Sequence, residues 1–256
     1  MNGEIIELCA LTANARCALK NGVMNHTIRE YINSERFVFL PRKMRSFFLP
    51  RKIKVIEDSA EKWFVQLKRL GVADVFMLLP QTAKNRERSG FVNTNGGCIL
   101  CLFDSGEVTY FTSAWGFNKE KRSWNVGFTE YEWENPPQEK PRFSDNTEEF
   151  MSALSNIAEL AEKIDQNFWA EIFREALGML DGSRECENTD LPNLPERNLR
   201  LYCAAAKSDV FGAMGSWNDS PPYSAKEKGL ADEYNRFSDE LFIQIRKALL
   251  FAVNEI

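Results

Sequence analysis

The sequence predicts an α+β fold: an antiparallel β meander of about five strands packed on helices, with a mostly helical C-terminal half. Two observations carry that prediction. Turn signals and alternating apolar residues cluster in 89–133, whereas helical periods fill the chain after residue 146. Repeated βαβ signals, the mark of a doubly wound sheet, are missing. Residues 1–134 are thus expected to form a sheet-containing part, and residues 146–256 a helical part packed on it as one compact unit.

Each element has its own signal. Ile5, Leu8, Cys9, Thr12 and Leu19 keep one helical face over 3–20, and Gly22 suits the residue after the helix. A short second helix is expected over 27–33. Arg36–Leu40 reads as a strand, with Ser46–Leu49 as a partner. Asp58 and Glu61 form a capping-box variant for a helix to about residue 70, striped by Trp63, Phe64, Leu67 and Leu70. Ala73–Leu79 reads as a buried strand. Asn95-Gly96 and Asp104-Ser105-Gly106 are turn signals that would join strands near 90–93, 98–103 and 107–113. Trp124, Val126 and Phe128 alternate on a further strand. Residues 134–145, with three prolines, form a linker. Helices follow from Asn146 or Thr147, from Phe168 to Gly182 and near 196–207. Ser224 and Glu227 form a capping box for a final helix striped by Leu230, Tyr234, Phe237, Leu241, Ile245, Leu249 and Ala252. At about 30 residues it would span roughly 45 Å.

Charge is unevenly spread. Residues 1–90 carry 16 Lys+Arg and 9 Asp+Glu, a balance of +7, and residues 91–256 carry 16 and 28, a balance of −12. Such halves either pair within the fold or offer two partners two faces. The N-terminus lacks a basic region leading into an apolar stretch, and no run of about 18 apolar residues exists. The expectation is a cytoplasmic protein with no membrane-spanning segment. Its six cysteines are then read as reduced thiols. Cys98 and Cys101 have C-x-x-C spacing, but on a strand they point to opposite faces and cannot share a metal.

The motif search excludes familiar chemistry. There is no phosphate-binding P-loop, no dinucleotide fingerprint, no nucleophile elbow and no EF-hand. The single histidine, His26, rules out two-histidine metal sites and is read as a surface or capping residue. No metal and no cofactor are expected.

Three surfaces stand out. The segment 36–54 holds Arg36, Arg42, Lys43, Arg45, Arg51, Lys52 and Lys54 with no acid, interleaved with Phe37, Phe39, Phe47 and Phe48. It is either an amphipathic hairpin or a face for an anionic ligand, a membrane surface or another protein. The overall acidity argues against strong non-specific DNA binding. The loop Asp209–Tyr223 brings Ser216, Trp217, Asn218 and Asp219 together between glycines, as a ligand site or as a helix connection plugged by Trp217. Trp115 is a further candidate for a pocket wall. Glu130, Glu132 and Glu134 would share the face of Val126 and Phe128 on a regular strand. The expectation is a bulge that turns Tyr131 and Trp133 inward and the glutamates to water.

The leading functional reading is a non-catalytic binding or interaction module that uses the basic segment or the Trp217 loop. The rival is a hydrolase or transferase with carboxylates at Asp209 and Asp219. A third reading is a toxin-neutralising or regulatory partner whose acidic half meets a basic protein.

Overall fold

Helix α1 (Gly3–Asn21) is buried along 12 of its 19 residues, from Glu4 to Ala18. Buried on most sides, the helix lies inside the molecule, and it takes Glu4, Glu7, Thr12 and Asn14 in with its apolar residues. In the computed structural model, which describes residues 1–43, 52–136, 139–186, 191, 194–212 and 214–256, α1 lies between a β-sheet and the C-terminal helices. Asn2 caps it by accepting the Glu4 N–H at 2.8 Å.

The strands are β1 (Ile32–Val38), β2 (Arg42–Lys43), β3 (Lys52–Ile53), β4 (Ile56–Glu57), β5 (Val72–Leu78), β6 (Cys98–Phe103), β7 (Val108–Asn118) and β8 (Ser123–Glu132). Six of them form one sheet in the order β4-β1-β8-β7-β6-β5, and β2 pairs with β3 apart from it. The sheet is mixed, which corrects the expected antiparallel meander of five. β5 to β8 are antiparallel neighbours, but β1 runs parallel to β8, with Phe37 opposite Phe128. Hairpin signals report only neighbours along the chain, and a parallel pair needs a long crossover that leaves no turn signature.

Other local expectations change for similar reasons. No helix forms over 27–33; the chain is irregular until β1 begins. Residues 90–93 form no strand, so Asn95-Gly96 closes no hairpin, and β6 pairs with β5 instead. The expected partner strand Ser46–Leu49 lies outside the described residues. Helix α2 (Ala60–Arg69) is capped by Ser59 rather than Asp58.

The C-terminal half folds as α3 (Thr147–Lys163), α4 (Asn167–Asp181), α5 (Glu196–Ser208), α6 (Pro221–Glu227) and α7 (Ala231–Asn254). The single final helix is thus two. Gly229 at φ +71° breaks it, a left-handed conformation that favours glycine. The Ser224 hydroxyl accepts from Gln166 Nε2 rather than completing a capping box. Near the end of α7, Asn254 bonds both the N–H and the C=O of Met77, capping the edge strand β5. One hydrophobic cluster runs through both halves, including Leu8, Phe37, Trp63, Phe111, Phe128, Leu154, Trp217 and Leu249. Among the described residues, no helix is long and apolar enough to cross a membrane.

Cysteine pairing also differs from expectation. Cys186 and Cys203 form a disulfide across Cα atoms 5.8 Å apart, so not all six thiols are reduced. Sequence alone carries no pairing information of this kind. Cys98 and Cys101 sit on β6 as free thiols.

The glutamate row resolves unequally. β8 stays regular, so Glu130 follows Val126 and Phe128 inward, while Tyr131, Glu132 and Glu134 are exposed. No bulge intervenes, because a partner waits inside. Glu130 accepts from both Arg42 Nη1 and Nη2, the Leu40 N–H and the Thr109 hydroxyl, each at 2.8 Å. Arg42 also reaches Glu107, joining the basic and acidic halves of the chain. We expect Glu130→Ala to lower unfolding free energy by about 2–4 kcal/mol, because it strands a partly buried guanidinium. Glu132→Ala should stay within about 0.5 kcal/mol in the same urea titration.

Candidate functional site

A cleft of about 300 Å³ opens where the loop 209–220 meets a 3-10 turn (Ala83–Arg88) and the first turns of α7. Arg86, Glu87, Phe91, Asn218, Asp219 and Tyr234 are among the residues that line it. Arg86 is its most constrained member. Only 7% exposed, it donates from Nε to Asp239 at 2.7 Å and from Nη1 to Asn218 Oδ1 at 3.0 Å. Its guanidinium lies 5.8 Å from the ring centres of both Phe211 and Tyr234. Burial raises the pKa of Tyr234, and Arg86 opposes that rise. A guanidinium with few remaining rotamers loses little entropy on meeting a carboxylate.

The loop holds this shape because Trp217 anchors it. Trp217 is fully buried, and its indole N–H donates to Ser238 Oγ at 2.8 Å. Its ring packs on Phe173, Tyr234 and Trp169, and its carbonyl accepts from the Tyr234 hydroxyl. Trp217 therefore backs the cleft and does not line it. Ser216 accepts from the Asn218 N–H within the loop. Asn218 and Asp219 do line the cleft, and Asp219 also accepts from the Gly215 N–H. Trp115 is elsewhere, buried on β7 where its N–H and C=O bond Asn93. Asp209 is not among the lining residues. Burial raises its pKa, opposed by the chain's amino terminus and Arg246.

The basic segment does not form an aromatic platform among the described residues. Phe37 and Phe39 are core residues, Phe37 stacking on Phe128 at 4.9 Å and on Trp63 at 5.3 Å. Arg42 is engaged by Glu130 and Glu107, while Arg36 and Lys54 are exposed. Arg45 and Arg51, and the side chains of Lys43 and Lys52, lie outside the described residues. A broader hollow of about 520 Å³ beside Trp133 takes in Cys98, Glu132 and Glu134, and no buried charge is set into it.

Sequence reasoning missed Arg86 and Tyr234. Arg86 sits in the polar run Gln81–Ser89, which reads as surface, and Tyr234 sits in a helical stripe that reads as core. Neither pattern marks the other.

His26 is the second miss. It is not a surface residue: its side chain is 3% exposed, with Nε2 2.9 Å from Glu7 Oε1 and 3.3 Å from Glu35 Oε1. Arg29 Nε stands 3.7 Å from Glu7 Oε2. Burial by itself lowers the His26 pKa, but its contacts with Glu35 and Glu7 override this and push it up to about 10. Burial likewise raises the Glu35 pKa, with His26 opposing. The folded protein therefore holds this proton more tightly than an unfolded chain, whose histidine titrates near 6.5. The stabilisation is complete below pH about 6.5 and is lost as pH rises through about 10. In chelator-treated protein, the melting midpoint should fall across that window, and His26→Gln should flatten the fall. Equal slopes in the two proteins would refute the assignment.

Comparison with protein-family models, curated proteins and solved structures finds no match to this chain.

Proposed function

We propose that the chain is a non-catalytic binding protein whose cleft takes a small zwitterionic ligand. One observation carries this: a guanidinium nine-tenths buried, clamped by Asp239 and Asn218 between two rings, set into the wall of an open cleft. A ligand carboxylate would meet Arg86 and Asn218. A ligand ammonium would meet Glu87 and Asp219, the two acids of the same lining. Phe91, 52% exposed, offers an apolar wall for a side group. The volume lies at the small end of ligand pockets, which suits molecules of amino-acid size.

The test is a titration of isotope-labelled protein with free amino acids, with the matching decarboxylated amines and with simple carboxylates. Amino acids should shift the side-chain signals of Arg86 and Asn218, with both single-charge series weaker. Arg86→Lys should weaken binding at least about tenfold, since an ammonium cannot reproduce the planar fork. If Lys destabilises the turn, exposed Asn235→Ala serves as a milder variant of the same lining. No shift with any probe, or equal binding by folded Arg86→Lys, would overturn the proposal.

A further inference from the structure

The Glu7–His26–Glu35 cluster shares no residue with the cleft, and its geometry leads in a different direction. Three elements converge there: α1 brings Glu7, the irregular stretch before β1 brings His26, and β1 brings Glu35. One ligand atom from each lies within 4.8 Å of the others. The side chains are 0%, 3% and 2% exposed. Both Glu7 oxygens are buried and lack a hydrogen-bond partner, although Oε1 is only 2.9 Å from His26 Nε2. The imidazole is hydrogen-bonded to Glu35 at 3.3 Å. Without a metal, the His26 proton is the charge that faces these two acids; a divalent cation ligated by the three groups would take its place, the Nε2 proton leaving to solvent as the ion binds.

We propose that Glu7, His26 and Glu35 form a binding site for a divalent first-row transition-metal ion of the Zn²⁺ class. The spacing fits. Donors bound to one tetrahedral ion at about 2.0–2.1 Å stand roughly 3.3 Å apart, near the 2.9 and 3.3 Å from His26 Nε2 to the Glu7 and Glu35 oxygens, and the three ligand atoms all lie within 4.8 Å of one another. The donor set fits as well. One imidazole nitrogen with two carboxylates suits zinc, manganese or iron, whereas Ca²⁺ and Mg²⁺ prefer an all-oxygen shell. Arg29 Nε faces Glu7 Oε2 at 3.7 Å, which leaves Oε1 to ligate. The depth of all three side chains makes the site structural: the ion pins the stretch 22–31 to α1 and β1.

The site escapes motif search because its ligands come from three segments with no short spacing. A chain with one histidine also looks unable to bind such metals. That single histidine makes the test direct, because every imidazole resonance belongs to His26. Chelator-treated full-length protein is titrated with Zn²⁺ alone, following heat, bound zinc and the imidazole nitrogen signals. We expect one Zn²⁺ per chain, a large shift of the His26 Nε2 signal and a higher melting midpoint. Glu7→Gln, His26→Gln and Glu35→Gln should each weaken binding at least about tenfold, and Cys98→Ser should leave it unchanged. The wild-type signals keep the proposal falsifiable if a glutamate variant does not fold. Absence of binding, binding without movement of the His26 signals, or undiminished affinity in folded His26→Gln would each overturn it.

Discussion

The structure depends on burying a helix that carries acids. α1 is enclosed by β5, β6 and α7, yet Glu4 and Glu7 lie on its buried residues. An ionised carboxylate inside a protein must be met by donors or by positive charge. Glu4 is met by the Asn93 N–H at 2.9 Å, the Asn95 amide at 3.1 Å and the Ser113 hydroxyl at 3.3 Å. Asn95 in turn accepts from Arg246 of α7 at 2.7 Å. Glu7 has the charges of His26 and Arg29 beside it, at 2.9 and 3.7 Å, but among the described residues no hydrogen-bond donor on either oxygen. The irregular stretches 22–31 and 89–97 thus supply what the helix interior lacks. Their lack of regular structure follows from that task, since each must place polar groups where no ladder or helical turn would put them.

Arginine links the layers. Arg42 ties the chain after β1 to β8 through Glu130 and to the residue before β7 through Glu107. Arg86 ties the turn after β5 to α7 through Asp239. Arg246 ties α7 to the 89–97 stretch. The first two pairs join the basic first ninety residues to the acidic remainder, so part of the charge asymmetry is consumed inside the fold. This bears on function. The basic segment looked like the natural docking face, yet its described phenylalanines are core and Arg42 is engaged. Arg36 and Lys54 stay exposed. The cleft at Arg86 is the smaller feature with the more defined shape, its guanidinium already held by Asp239 and Asn218.

The candidate sites were unevenly readable in the chain. The run Ser216–Asp219 drew attention through its density of functional groups, and two of its four members do line the cleft. Trp217 was readable only as one of two options, and its bond to Ser238 decides for the plug. Trp115 had no such context and lies elsewhere. Arg86 was invisible because its importance comes from Phe211, Asn218, Tyr234 and Asp239, all more than a hundred residues away in sequence. His26 was misread for the same reason. An isolated histidine between polar neighbours looks like surface until two acids from other elements close over it.

What the sequence determined by itself was local and periodic. It specified α1 and its stop at Gly22, α2, the core strands β5 to β8, the Asp104–Gly106 turn and the helical character of the second half. Those features rest on interactions between residues a few positions apart, where propensity and hydrophobic period act directly. The tertiary structure alone decided the parallel placement of β1 on β8, the inward turn of Glu130, the Cys186–Cys203 pair and the two polar constellations around Arg86 and His26. Each depends on which distant group arrives opposite a given side chain. A single chain read in order carries no local signal of that meeting.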